Sequence, residues 1–286
     1  MALNTRARLL ISCPDRPGIV AAVSQCLFEQ GANIVHSDQH TTDPEGGVFF
    51  VRIEFDLPEL DSRGTELERV FEPIARRFRM DWRLTNAARV KPIAIFVSKE
   101  DHCLLELLWR WRAEDMAAEI AMVVSNHANL RGLVEAYGIP FYHIAVTQER
   151  QEQAEASQLQ LVEGKVDLIV MARYMRVLSS AFIRRFPNRI INIHHSFLPA
   201  FVGADPYAQA HSRGVKLIGA TAHYATDALD AGPIIEQDVE RVDHRHTVED
   251  LKRIGRHVER VVLARAVTWH LEDKVLVHGN KTVVFA

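Results

Sequence analysis

Apolar residues recur along this chain with two different periods, and the change between them falls near residue 88. Residues 7–12 form a short apolar run that predicts a strand. The turn at 13–18 follows, with Asp15 expected to cap a helix whose first turn tolerates Pro17. Ile19, Val23 and Leu27, with Ala22 and Cys26 beside them, have the spacing of an amphipathic helix that Gly31 stops. The runs 32–41 and 48–56 bracket a Gly-rich turn. In the second, Phe49, Val51, Ile53 and Phe55 alternate with Phe50, Arg52, Glu54 and Asp56, which predicts a half-buried hairpin. Leu67, Val70, Phe71, Ile74 and Phe78 place a second helix, and 80–84 a last strand.

The order β-α-β-β-α-β within residues 1–86 is that of a ferredoxin-like α+β sandwich. A short linker at 87–91 leads into a second domain over 92–286. There the apolar runs 93–97, 120–124, 168–171 and 190–193 do not alternate, so their strands are expected to be buried on both faces. Helical segments at 104–111, 130–137 and 153–163 separate them, which predicts a doubly wound, mostly parallel α/β domain. Ligands of such sheets bind beyond the carboxyl ends of the strands. Strands at 216–224 and 233–239, a long helix at 248–271 and two short strands at 274–277 and 281–285 complete the expected order.

Composition narrows the class. With 286 residues, 48% hydrophobic and 25% charged, the chain is globular and can fold as two domains. A net charge of -3 supplies no general field for a nucleic acid, and no apolar window approaches a membrane span. Cys13, Cys26 and Cys103 form no paired motif and fit a reducing, cytoplasmic setting.

Two segments carry candidate chemistry. At 190–196, Asn192 and His194 alternate onto one strand face and His195 onto the other. At 219–235, Thr221 and His223 share a face, and Asp230 stands in a loop stiffened by Gly232 and Pro233. Taken alone, both segments also fit satisfied core and turn residues. Fourteen histidines, including His194, His195, His244 and His246, lack metal-ligand spacing, so no metal or cofactor is expected.

The strings NIHHSFLPAF and TAHYATDALDAGPII resemble folate-dependent formyltransferases, and CPDRPGIVAAVSQCLFEQGANI resembles an ACT regulatory domain. Together they resemble the formyltetrahydrofolate deformylases over essentially the whole chain. The resemblance implies hydrolysis of 10-formyltetrahydrofolate to tetrahydrofolate and formate, with Asn192, His194 and Asp230 as the catalytic trio. It further implies a pterin site at Met175, Arg176, Leu178, Thr221, His223, Ala225, Thr226 and Asp227. An amino-acid effector site follows at Asp15, Arg16, Pro17, Gly18, Asn33 and Ile34, with association into a homo-oligomer and formate supplied to purine synthesis. Asp205 departs from the Lys or Arg often found there, which bears on the folate tail.

An Asn amide on a rigid strand suits a developing oxyanion, and an imidazole suits proton exchange. A phosphate-bearing acceptor favours a Gly-rich loop at a helix start. Here the stretch 98–102 has Glu100 and Asp101 and no glycine, which favours water. A transformylase with another acceptor and a non-catalytic folate or amino-acid regulator stand as the rival readings.

Overall fold

The computed structural model describes residues 5–43, 45–199 and 206–286 and divides into two compact units. In the first, β1 (Arg6–Pro14), α1 (Ile19–Glu29), β2 (Asn33–Thr41), β3 (Val48–Asp56), α2 (Leu60–Phe78) and β4 (Asp81–Asn86) follow the expected order. The sheet runs β2-β3-β1-β4, and every neighbouring pair is antiparallel. Leu9, Ile11, Val51, Ile53 and Phe55 bury one sheet face against Val23, Leu27, Leu67 and Phe71 of the helices. Two particulars differ from the sequence reading. Gly18, at φ 93°, takes the cap position of α1 without a side-chain bond. Asp15 instead accepts a hydrogen bond from Thr41 Oγ1 at 2.8 Å, too early in the chain to reach the helix amides.

The hairpin strand β3 is not half-buried. Phe50 is fully covered and Arg52 is only 3% exposed, because the chain returns at 272–278 to this unit. The Phe50 ring meets His278 edge-on at 5.5 Å. Arg52 donates to the carbonyls of Asp273 and Glu272 at 3.1 and 3.2 Å and pairs with Glu54 at 2.8 Å. A buried guanidinium is tolerable only with such partners. Residues 272–278 and 283–286 thus belong with the first unit, although 92–286 reads as one domain in the sequence.

The second unit comprises residues 91–271 and 279–282. It starts with β5 (Lys91–Val97), α3 (His102–Arg112), β6 (Ala118–Ser125), α4 (Arg131–Glu135) and β7 (Phe141–His143). A 3-10 turn (Gln148–Arg150), α5 (Gln151–Val162), β8 (Leu168–Met171), α6 (Ser180–Ile183) and β9 (Ile190–His194) follow. Next come α7 (Pro206–Arg213), β10 (Leu217–Tyr224), β11 (Ile234–Arg241) and α8 (Val248–Leu271), and the hairpin β12 (Val275–His278) and β13 (Lys281–Val284) ends the chain. The seven-stranded sheet has the order β11-β10-β9-β8-β5-β6-β7. The strands from β9 to β7 pair in parallel, while β10 runs antiparallel to both β9 and β11. Ile95, Val123, Val170 and Ile191 are fully buried, which accounts for the runs without alternation. β7, α6 and α7 escape a pattern reading because three to eight residues show too little period. No helix among the described residues is long and apolar enough to cross a membrane.

Candidate active site

The site grows out of the end of β9. Pleating turns Asn192 and His194 to one face, and the antiparallel partner β10 sets His223 opposite Asn192 and Thr221 opposite His194. The loop after β10 then folds back so that Asp230 reaches both imidazoles. Its Oδ2 lies 3.2 Å from His194 Nδ1 and its Oδ1 lies 3.7 Å from His223 Nε2. Asn192 Nδ2 lies 3.3 Å from His223 Nε2, and His223 Nδ1 lies 3.0 Å from the Tyr224 carbonyl. A carbonyl only accepts, so Nδ1 carries the proton. In the neutral ring Nε2 then accepts from one Asn192 N–H and leaves the second N–H free to donate.

Backbone strain places Asp230, which has φ 53°. Gly232 makes this possible, because a Cβ there would stand 1.8 Å from the Tyr224 carbonyl oxygen. The same close approach lets the Tyr224 N–H donate to Pro233 O at 2.9 Å. Gly232→Ala is therefore expected to push the loop outward, at about 1–3 kcal/mol of stability. Thermal unfolding and a structure of the variant should show Asp230 displaced from His194. An unmoved carboxylate would refute this account of the loop.

The hydrogen bond from His194, and after it the nearby His223 imidazole, hold the Asp230 carboxyl well below the usual carboxylate range. His194 Nε2 is buried and has no hydrogen-bond partner in the described protein. His195, whose ring lies 5.3 Å from that of His194, is kept neutral by burial and the charge of Arg173, with its pKa pushed down to about 4.

Asn192, His194 and Asp230 share the wall of a cavity of about 390 Å³ with Met175, Arg176, Leu178, His223, Ala225, Thr226 and Asp227. Thr221 is elsewhere. It is fully buried, donates to Ser196 O at 2.9 Å, and accepts from the Leu198 N–H at 3.0 Å and Gln237 Nε2 at 2.9 Å. Its hydroxyl ties β10 and β11 to the segment after β9. Asp205 lies outside the described residues.

The six residues of the expected effector site do not come together within one copy. Asp15 accepts from Thr41 Oγ1 and donates its N–H to Gly47 O, Arg16 donates to Arg77 O and covers the Phe78 ring at 4.4 Å, and Pro17 and Gly18 continue that loop. Asn33 and Ile34 pair with Asp56 and Phe55, at the other end of β3. Eight residues of extended strand separate the two groups, about 26 Å.

The structure also collects a buried group that sequence reasoning missed. Glu259 of α8, 1% exposed, accepts from His102 Nε2 at 2.9 Å and Tyr207 Oη at 2.6 Å and pairs with Arg173 Nε at 3.3 Å. Arg173 carries this network to the cavity wall. A charged residue directly after the apolar run 168–172 was the available signal. Donor atoms of His102, Cys103 and Glu259 lie within 4.8 Å of one another. Burial raises the Cys103 thiol pKa well above its ordinary value, and Arg173 already compensates the carboxylate, so this donor set does not fit a divalent cation. At the start of α3, Glu100 and Asp101 are exposed, with Glu100 Oε2 3.9 Å from His102 Nδ1.

Comparison with known proteins agrees with this architecture. Residues 91–267 match the formyl transferase family model and residues 7–72 the ACT domain model. The chain is 59% identical to the formyltetrahydrofolate deformylase of Bacillus subtilis (strain 168), covering 98% of this chain and 94% of that one. It superposes on the crystal structure of a formyltetrahydrofolate deformylase from Pseudomonas syringae pv. tomato with a TM-score of 0.94. There the identity is 50%, and the match covers 99% of this chain and 95% of that one. A glycinamide ribonucleotide transformylase from Symbiobacterium toebii matches 69% of this chain and 95% of its own, at TM-score 0.64 and 30% identity. With an ACT domain ahead of a formyl transferase domain and this degree of identity along nearly its whole length, the chain belongs to the formyltetrahydrofolate deformylase family.

Proposed function

We propose that this protein hydrolyses 10-formyltetrahydrofolate to tetrahydrofolate and formate, with Asn192, His194 and Asp230 as its catalytic residues. The observation that carries the reading is the arrangement on one cavity wall: the Asp230 carboxylate lies 3.2 Å from His194 Nδ1, and the Asn192 amide, held by His223 at 3.3 Å, shares the strand face of His194. Water attacks the formyl carbon, and the carbonyl oxygen becomes an oxyanion that accepts from the free Asn192 N–H. His194 Nε2 takes the proton of the attacking water and returns it to the folate nitrogen as the C–N bond breaks. Asp230, too weak a base to keep that proton, orients the ring through Nδ1 and stabilises it when charged. No cofactor enters the scheme.

The carboxylates at 100 and 101 support water over a phosphate-bearing acceptor. The released formate would serve purine synthesis and adjust the one-carbon folate pool. At the ACT unit, an amino-acid effector would need the Asp15 loop of one copy beside the Asn33 end of another, in a cytoplasmic homo-oligomer. Calorimetry across the common amino acids tests this, and no heat with any of them would remove the effector.

The reaction is tested by formate release from 10-formyltetrahydrofolate without added acceptor. The native protein is expected to release formate, and Asn192→Ala to lose about 10²- to 10³-fold in kcat. Turnover only after addition of glycinamide ribonucleotide would make the protein a transferase instead.

A further inference from the structure

The hairpin of β12 and β13 carries its tip to the catalytic loop, although the formyl chemistry assigns it no role. Two residues, Gly279 and Asn280, join the strands. Gly279 takes φ 57° and Asn280 stays out of the positive region, the pattern of a type II′ turn with glycine first. Such a turn asks nothing of the side chain at its second position. The Asn280 amide is engaged elsewhere: its Nδ2 donates to Ala231 O at 2.9 Å. Two residues on, Thr282 Oγ1 donates to Ile234 O at 2.6 Å. Residues 279–282 belong with the second unit through this tip.

The two bonds fall on the part of the loop that most needs holding. Ala231 directly follows Asp230, whose φ of 53° persists only where neighbours fix the backbone. Beyond Gly232 and Pro233 the chain enters β11, and there the ladder is irregular. Ala222 pairs with Glu236 but His223 with Ile234, which leaves Ile235 as the extra residue of a bulge. Within the loop the Ala231 N–H reaches Ala228 O at 3.4 Å, a long bond. The hairpin tip adds one donor on each side of the Gly232–Pro233 step, at Ala231 and at Ile234. The carboxylate carried by this segment has to stay 3.2 Å from His194 Nδ1, and a misplacement of about 1 Å costs about 10²-fold in rate.

We propose that Asn280 and Thr282 are positioning residues for the hydrolysis, bracing the loop so that Asp230 stays against His194. They act through Asp230 and not on the substrate. The proposal rests on the reading of Asp230 as the acid that orients His194.

The test compares formate release by the native protein, Asn280→Asp, Thr282→Val, Asp230→Asn and Asp230→Asn/Asn280→Asp. Asp keeps the shape of Asn but turns an acceptor toward Ala231 O, and Val keeps the shape of Thr without its hydroxyl. Asn280→Asp is expected to lose about tenfold in kcat, with kcat/KM falling alongside it, and Thr282→Val about threefold. Both bonds are exposed, so melting should stay within about 4 °C of native. In the Asp230→Asn background the Asn280 change should cost less than about twofold, because a residue that acts through Asp230 then has nothing left to position. Hydrogen exchange over residues 225–234 gives a readout free of turnover, and Asn280→Asp should exchange faster there.

A native rate in Asn280→Asp, its full loss repeated in the Asp230→Asn background, or unchanged exchange over 225–234 would overturn the proposal. Failure of the underlying reading looks different. No formate from the native protein, or a native rate from Asp230→Asn, removes that reading and the positioning role with it. An impaired Asp230→Asn beside an unimpaired Asn280→Asp removes the positioning role alone.

Discussion

Asp230→Asn is expected to lower formate release by about 10²- to 10⁴-fold, the range associated with loss of acid-base assistance, while the protein stays folded. Asn keeps the shape and tolerates φ 53° as well as Asp does, so the loop should hold. What goes is the negative charge 3.2 Å from His194 Nδ1, and with it the stabilisation of the imidazolium formed during attack. The pH behaviour follows from the sign of the shift. Because the Asp230 pKa is depressed, its contribution to stability is complete above the ordinary Asp value of about 3.9 and is lost as pH falls through its lower native value. Between pH 5 and 9 the native carboxylate stays ionised, so an acid limb in the rate profile in that range belongs to an imidazole. Steady-state formate assays across pH with thermal unfolding of both proteins make the comparison. A variant that keeps a tenth of the native rate would exclude Asp230 from the chemistry.

Glu259→Ala is expected to be the most destabilising single change in the second unit. It strips the buried Arg173 guanidinium of its counter-charge and removes the acceptor used by His102 and Tyr207. Breaking a buried pair on one side costs about 3–5 kcal/mol. At roughly 2–4 °C per kcal/mol for a chain of this size class, the melting temperature should fall by about 6–20 °C. Burial pushes the Glu259 pKa up, but the His102 bond and the Arg173 charge outweigh it and leave the value below ordinary. Its stabilisation is therefore present above the usual Glu value of about 4.3 and fades as pH drops through the native one. Unfolding by heat and by acid checks both statements. Melting within about 2 °C of native would mean that Arg173 finds compensation elsewhere.

The two architectures were legible because each rests on a short-range pattern. Val23 and Leu27 at helical spacing, the alternation of Val51, Ile53 and Phe55, and the unbroken run 168–171 each follow from the face an element buries. The pairing of Asn192 with His194 on one face was equally readable, since strand period is a covalent property of the backbone. Arg52 marks where this kind of reading stops. Alternation sends it to the solvent face of β3, yet the strand is covered from a segment more than two hundred residues away, Glu272–His278.

The site divides along the same line. Which residues could serve as donor, proton carrier and orienting acid was visible in residue type and in the resemblance of two short strings. That Thr221 is consumed by Ser196, Leu198 and Gln237 was not, because its bonds depend on the register of β10 against β9 and β11. Nor was the separation of Asp15 from Asn33, which the pairing of β2 with β3 decides. The sequence by itself determined the elements, their order and the chemical types at the site, because period, turn chemistry and side-chain acidity act over a few residues. Only the tertiary structure decided that Asp230 lies beside two imidazoles and that Glu259 meets His102 and Arg173. Those approaches depend on strand order and register, which are set by burial summed over the whole core and by no single stretch of chain.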